Sequence, residues 1–362
     1  MLVNRDGSRA LLLVKLRRPE RAKAYLERAI AQVTPGDANA NRRLHRLSWA
    51  MYGYLGDWQR AFAELECSYR STWQHAVPLW NGERLHGPLV VFADGATGFG
   101  GFGDIILFLR YLHPLAERAG EMVLALRPGA YRSIGPLLRR VDYVEFTSYA
   151  DLPTAAAWLP LELAPVYAVP EPVPYLYGHV VRPRAPFNVV MNWAGGVCGT
   201  AVDLGQDSLT QEHRTVPLRA WTPVLGVCGV RFVSVQQRRT VPPRYAELGF
   251  SLENGEPPNG VDDRGPGLRH WRETAEIVST ADLVITSDTA VAHLAGALAR
   301  PVWILLSATS APYWEITGEH SVWYPTARLF RQRELGMWDP VMADVANELN
   351  RIVSRRSGQQ LA

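Results

Sequence analysis

The chain of 362 residues is 47% hydrophobic and 20% charged with a formal net charge of +3, a composition that suits two α/β units with an appendage and excludes a disordered polymer. No apolar run approaches the ~20 residues of a membrane span, and Leu11–Leu16 is too short and poorly flanked for a signal peptide. Cys67, Cys198 and Cys228 are odd in number and widely spaced, which argues against a disulfide framework or a zinc site and for a reducing, cytoplasmic setting.

The basic charge is concentrated at the start. Residues 1–46 hold eleven Lys or Arg against four Asp or Glu, a balance of +7, which leaves the remainder at −4. Such an arm suits either an acidic partner such as DNA, met through Arg17, Arg18, Arg42, Arg43 and Arg46, or the solvated face of a helix. Residues 19–32 and 57–70 have the apolar spacing of amphipathic helices. Together with Arg42–Tyr54 they resemble one and a half tetratricopeptide repeats, with Tyr52, Gly56, Trp58, Ala61 and Leu65 at motif positions. Ala22 and Ala61 are 39 residues apart, however, against a repeat period of about 34. So short an array cannot close a core alone and is expected to pack on the rest of the chain. Residues 1–82 are assigned to this segment.

Next comes an α/β pattern over residues 83–180. Leu89–Ala93, Met122–Leu126 and Tyr143–Phe146 read as strands, with helices predicted over 104–118 and 130–139. Between the first strand and the first helix, Gly98, Gly100 and Gly103 spell G-x-G-x-x-G, with Gly101 inside the run. A dinucleotide fold would also need an acid at the end of the second strand, which here reads Ala125-Leu126-Arg127. The other reading is a sharp backbone turn that leaves Asp104 at a helix start, either as a cap or as a base kept ionised there. Eight prolines between Asp151 and Pro186 mark a linker.

A second α/β set occupies 181–362, with strands at Asn188–Trp193 and Arg231–Gln236 and a helix over Trp271–Thr280. Leu283–Thr286 and Val302–Leu306 are short apolar strands around a small-residue helix, Thr289–Ala299, capped by Ser287 or Asp288 and stopped by Pro301. The start of that helix lies beyond a strand's carboxyl end, where open α/β sheets bind ligands and a helix dipole favours an anion. Thr289 and His293, four apart, share one face of it. Residues 338–353 read as a last helix, with 354–362 as a frayed tail.

Several blocks, in order, resemble bacterial tetratricopeptide-repeat glycosyltransferases: the stretch through GFGGFGDIILFLRYL, then NWAGG, EHRTVPL, FVSVQ, the block S-D-T-A-V-A-H-L-A-G-A-L, and SVWYPTARLFRQ. These are similar to the lipopolysaccharide heptosyltransferases and distantly to the O-GlcNAc transferases. The resemblance implies an α/β protein of the GT-B fold, two Rossmann-like domains facing a cleft behind a short helical segment. It also implies a nucleotide-diphosphate sugar donor and no bound metal or other cofactor. Their proposed base matches Asp104, their donor-binding Asp-Thr and His match Asp288, Thr289 and His293, and their basic residue before S-x-P-L matches Arg214. The stretch from Gly195 to His213 is longer than the family's and lacks its N-P-x-x-x-N-D run, and position 192 is Asn.

Sugar transfer needs a base for the acceptor and stabilisation of a departing diphosphate. No D-x-D pair is present to hold a metal, so the helix start at Ser287-Asp288-Thr289 and Arg214 are assigned to the anion, with Trp193 and Gln236 as further donor contacts. The expected activity is a metal-independent, inverting glycosyltransferase acting on a protein or glycan acceptor. A transferase acting on a modified base in DNA, a non-catalytic binding scaffold and a nucleotide-sugar epimerase are the alternatives.

Overall fold

The computed structural model describes residues 5–33, 37–93, 101–139, 145–176, 186–195, 214–237 and 256–360. Four helices come first: α1 (Arg5–Lys15), α2 (Pro19–Ala31), α3 (Ala38–Tyr54) and α4 (Trp58–Arg70). Pro19 opens α2, where its missing N–H breaks no helical bond, and the Asp37 and Asp57 carboxylates cap α3 and α4 by accepting from the Ala40 and Arg60 N–H groups. Gly56, at φ +74°, gives α3 the left-handed ending that turns the chain into α4. Each helix packs on the next and buries Ala22, Leu26, Leu44, Ala61 and Leu65.

The first sheet is fully parallel with order β3-β2-β1-β4: β1 (Leu89–Ala93), β2 (Met122–Leu126), β3 (Glu145–Ser148) and β4 (Ala157–Pro160). The helix expected over 104–118 is two, α5 (Phe102–Phe108) and α6 (Leu112–Ala119), joined by a 3₁₀ turn at Leu109–Tyr111. Pro114 explains the break, because its ring would clash with the carbonyl of Arg110 in a continuous helix. Helix α7 (Pro128–Leu138) comes after β2. The proline-dense stretch is not all linker. It contains β4, which pairs with β1 and ends on Pro160, and α8 (Ala164–Tyr167), with Pro165 in its first turn. Proline is tolerated at both places because neither needs its N–H.

The second sheet is also parallel, with order β10-β9-β8-β5-β6-β7: β5 (Phe187–Asn192), β6 (Val230–Ser234), β7 (Asp262–Asp263), β8 (Leu283–Ser287), β9 (Val302–Leu306) and β10 (Ala327–Arg331). Its helices are α9 (Thr222–Leu225), α10 (Trp271–Ser279), α11 (Ala290–Ala297) and α12 (Asp339–Gln360). The expected frayed tail is helical to Gln360. Arg356 ties that end down through a 2.9 Å ion pair with Asp282 and a contact over the Phe187 ring.

One apolar cluster runs from the N-terminal helices through the first sheet and α5 into α11 and one face of the second sheet, which supplies Val190, Val284, Val302 and Ile304. The alternate residues, Val189, Met191, Leu283 and Ile285, join a second cluster with Met342, Val345 and Leu349 of α12. The second sheet is therefore covered on both faces, as near-continuous apolar strands require.

The N-terminal helices touch both sheets. On the first side the Tyr69 hydroxyl donates to the Glu162 carboxylate, and the Tyr167 hydroxyl donates to Glu66 (2.5 Å). On the second, the Arg17 guanidinium donates to the Ala308 carbonyl (2.6 Å), the Ser310 hydroxyl (3.0 Å) and the Glu315 carbonyl (3.1 Å), and the Tyr54 hydroxyl donates to the Ser310 carbonyl (2.9 Å). Arg46 is buried over the Tyr69 ring. Of the five arginines weighed for an acidic partner, Arg17 and Arg46 are engaged in these packing contacts.

Candidate active site between the two sheets

The site is built on the carboxyl ends of β5, β6 and β8. Gln236, just past β6, accepts at Oε1 from Asn192 Nδ2 (2.8 Å) and from the backbone N–H groups of Trp193 (3.1 Å) and Ala194 (2.9 Å). This holds the chain as it leaves β5. Asn192 Oδ1 in turn accepts from the Thr286 hydroxyl (3.3 Å) and the Thr289 hydroxyl (3.0 Å). Three strand ends are thus joined by a buried amide network in which both carboxamide oxygens are satisfied.

Thr289, rather than Ser287 or Asp288, is the N-cap of α11; its hydroxyl accepts from the Val291 N–H (3.3 Å). The extended backbone needed at an N-cap falls one residue later than expected because β8 runs through Ser287. Asp288 is buried. Its Oδ1 accepts from Trp314 Nε1 (2.8 Å), while Oδ2 has no hydrogen-bond donor among the described residues and lies 3.8 Å from Arg214 Nη1. Arg214 also donates to the Asp288 carbonyl (3.1 Å). A Cβ on Gly195 would stand 3.4 Å from the Thr289 methyl and 3.8 Å from Arg214 Nη2, so that glycine, Thr289 and the guanidinium converge. The Ser287 hydroxyl is fully buried and unpartnered among the described residues.

His293, one turn into α11, is buried against aromatic rings. It stacks on Trp314 (5.1 Å between centroids) and meets Tyr313 edge-on, and its Nδ1 lies 3.0 Å from the Tyr324 hydroxyl. Burial pushes its pKa down to about 4, with Arg214 assisting and Asp288 opposing, so the ring is neutral at physiological pH. Its far edge touches the first sheet's helix. A Cβ on Gly103 would come within 2.9 Å of His293 Cδ2, so only glycine fits there.

Asp104 is the third residue of α5, beside this contact. Its Oδ2 accepts from the Gly101 N–H (3.1 Å), the capping role weighed from the sequence. The carboxylate also faces the buried Tyr313 phenol, whose pKa is raised by burial first and by the Asp104 charge second. Asp104 therefore stands where the two sheets' helices meet.

The structure brings together Asp104, Gly101 and Gly103 from one side and Arg214, Asp288, Thr289 and His293 from the other. Gln236 supports them from beneath. Trp193 is 1% exposed and lies inside the second apolar cluster, with its backbone N–H bonded to Gln236 at the site. Gly98 and Gly100 lie outside the described residues. Tyr313, Trp314 and Tyr324 were not expected as site residues, although Tyr324 lies in the S-V-W-Y-P-T block and Asn192 in the N-W-A-G-G block. Among the described residues no group of three or more His, Cys, Asp or Glu is placed to hold a metal ion, and no helix is long and apolar enough to cross a membrane.

Residues 270–329 match the model of glycosyltransferase family 9 (heptosyltransferase). Protein FlbA of Caulobacter vibrioides is 27% identical over 304 residues, covering 75% of this chain and 48% of FlbA, so the chain spans about half the length of the curated relative. Among solved structures the chain is similar to the dodecameric iron-containing glycosyltransferase TibC of enterotoxigenic E. coli H10407, at 14% identity and a TM-score of 0.47 over 79% of this chain and 78% of TibC. It is also similar to the E. coli ADP-heptose lipopolysaccharide heptosyltransferase II, at 12% identity and a TM-score of 0.43 over 75% of this chain and all of that one.

Proposed function

We propose that the chain transfers a sugar from a nucleotide-diphosphate sugar to an acceptor hydroxyl with inversion, with residues 83–180 holding the acceptor, 181–362 the donor and 1–82 a tetratricopeptide-like scaffold. The observation that carries this reading is the meeting of Asp104 on α5 with the Arg214–Asp288–Thr289–His293 group around α11, which sets a carboxylate base opposite a cationic helix start. Asp104 takes the proton of the acceptor hydroxyl while the oxygen lone pair forms a bond to the anomeric carbon. The bond from that carbon to the diphosphate breaks, and its electron pair leaves on the phosphate oxygen. The start of α11 and the Arg214 guanidinium receive that charge, so that no metal is needed. Neutral His293 adds no charge at this point and is suited to hydrogen bonding with the donor.

A panel of nucleotide sugars tested for thermal stabilisation and slow hydrolysis, with and without a chelator, checks the proposal. The expected result is one preferred donor whose hydrolysis survives EDTA. Activity abolished by EDTA and restored by Mn²⁺ would overturn the metal-independent step, and no response to any donor would overturn the transferase reading. With Arg17 and Arg46 engaged in packing, a protein or glycan acceptor is favoured over DNA.

A further inference from the structure

Two tyrosine side chains link His293 to the opposite sheet's helix. The Tyr175 hydroxyl donates to the Ile106 carbonyl on α5 (3.0 Å), the Tyr324 hydroxyl lies 3.3 Å from that of Tyr175, and His293 Nδ1 lies 3.0 Å from the Tyr324 hydroxyl. A carbonyl oxygen only accepts, and a phenol has one proton to give. The Tyr175 proton is therefore used on Ile106, and its oxygen can only accept from Tyr324. The Tyr324 proton is then used in turn, and its oxygen accepts from an Nδ1–H. Were Tyr324 to give its proton to Nδ1 while Tyr175 stays bonded to Ile106, two phenol oxygens would point at each other with no proton between them, inside a fully buried cluster where an unmet pairing is costly. Burial raises both tyrosines' pKa, so neither gives its proton up.

The backbone makes room for this chain in two places. A Cβ on Gly296, one turn along from His293, would lie 2.3 Å from the Tyr324 ring, and a Cβ on Gly103 would lie 2.9 Å from His293 Cδ2 and 3.5 Å from Nε2. The first glycine admits the phenol to one side of α11. The second leaves the Nε2 edge of the imidazole facing the junction of the sheets, with no hydrogen-bond partner among the described residues.

We infer that Tyr324 and Tyr175 are positioning residues that hold His293 as the Nδ1–H tautomer, so that Nε2 presents a lone pair to a hydroxyl of the sugar nucleotide. The tautomer follows from the geometry alone, whereas the identity of the partner hydroxyl rests on the transferase reading. Because the chain is anchored at Ile106, two residues from Asp104, the acceptor-side helix sets the protonation pattern of the donor-side histidine.

The test is a long-range ¹H–¹⁵N spectrum of the full chain labelled at histidine nitrogen, assigned by comparison with His293→Gln. The expected parent pattern has His293 Nδ1 protonated and Nε2 bare. Tyr324→Phe keeps the ring and its packing but removes the hydroxyl, and should shift the imidazole toward Nε2–H; Tyr175→Phe should shift it in the same direction. A protonated Nε2 in the parent, or an unchanged pattern in Tyr324→Phe, overturns the relay; an unchanged pattern in Tyr175→Phe overturns its anchorage on α5. With the preferred donor, Tyr324→Phe should raise KM about tenfold, the worth of one hydrogen bond, with a smaller change in kcat. An unchanged KM alongside a shifted tautomer overturns the hydroxyl contact. If no donor is turned over, the transferase reading fails while the spectrum still decides the tautomer.

Discussion

Asp104 caps α5 and, on the proposed reading, is also the base; a single substitution separates the two roles. Asparagine retains an oxygen for the Gly101 N–H, so Asp104→Asn should fold normally; as the base, however, it should lower turnover by roughly 10²–10⁴ with nucleoside diphosphate affinity unchanged. Activity equal to the parent's returns Asp104 to capping alone. His293 carries a second prediction. Its folded pKa lies near 4 against an ordinary 6.5, so the unfolded chain binds the proton more tightly between those values. The stability this contributes is fully present above pH 6.5 and is lost as pH falls toward 4, by about 3 kcal/mol. Urea titrations should show His293→Gln losing less stability than the parent across that window; identical slopes would refute the buried neutral ring. Asp104, Asp288, Thr289 and His293 were legible in the sequence because each sits within a few residues of a glycine turn or a helix start. Trp193 was offered as a donor contact because a strand end shows where the backbone emerges but not which face a side chain takes; its ring lies in the second apolar cluster. Tyr313, Trp314 and Tyr324 were illegible for another reason: their partners lie at least 20 residues away or on the other sheet's helix.

At the scale of elements, α11 is a helix shaped by what it lacks. Replacing a helical glycine with alanine ordinarily gains up to ~1 kcal/mol. Here the added carbon of Gly296→Ala would lie 2.3 Å from the Tyr324 ring, and overpacking of that kind costs roughly 1–3 kcal/mol. The packing cost prevails, so a lowered denaturation midpoint is expected; a raised midpoint would show the ring free to move aside. Thr289→Val has two effects. It removes the cap of α11, costing about 1 kcal/mol, and takes one donor from Asn192 Oδ1. Its weakened nucleoside diphosphate binding, measured by calorimetry, should therefore exceed that of a stability-matched variant away from the site. Strands β1, β2 and β9 were readable as uninterrupted apolar runs. β4 hid among prolines, and β10 hid because its apolar residues are split by Arg328.

For the whole molecule, the N-terminal helices matter more than their marginal repeat pattern suggested. Arg17 is half-buried, and its charge leans on the Ala308 and Glu315 carbonyls and the Ser310 hydroxyl. Arg17→Met should destabilise by about 2 kcal/mol and speed hydrogen exchange in the backbone from Ser310 to Glu315, while exchange in β1 and β2 stays as it was. Unchanged exchange there would show that the helices do not brace the second sheet. The sequence marked α2, α3 and α4 but not α1, and predicted that the segment would pack on the rest of the chain, but not that it would reach both α/β units. That depends on residues more than 250 positions apart, such as Tyr54 and Ser310.

The bracing also limits how the molecule can open. Phe62 of α4 meets Phe108 at the far end of α5, whereas Gly103 and Asp104 lie at the near end, about 6–8 Å along the axis. Any parting of α5 from α11 that leaves the helices in place must swing about their edge like a book about its spine. The gap then widens most at the Asp104 margin and least beside Phe108. On the proposed transferase reading, an acceptor is sorted by whether its reactive end is slender enough to pass that margin, before it meets Asp104.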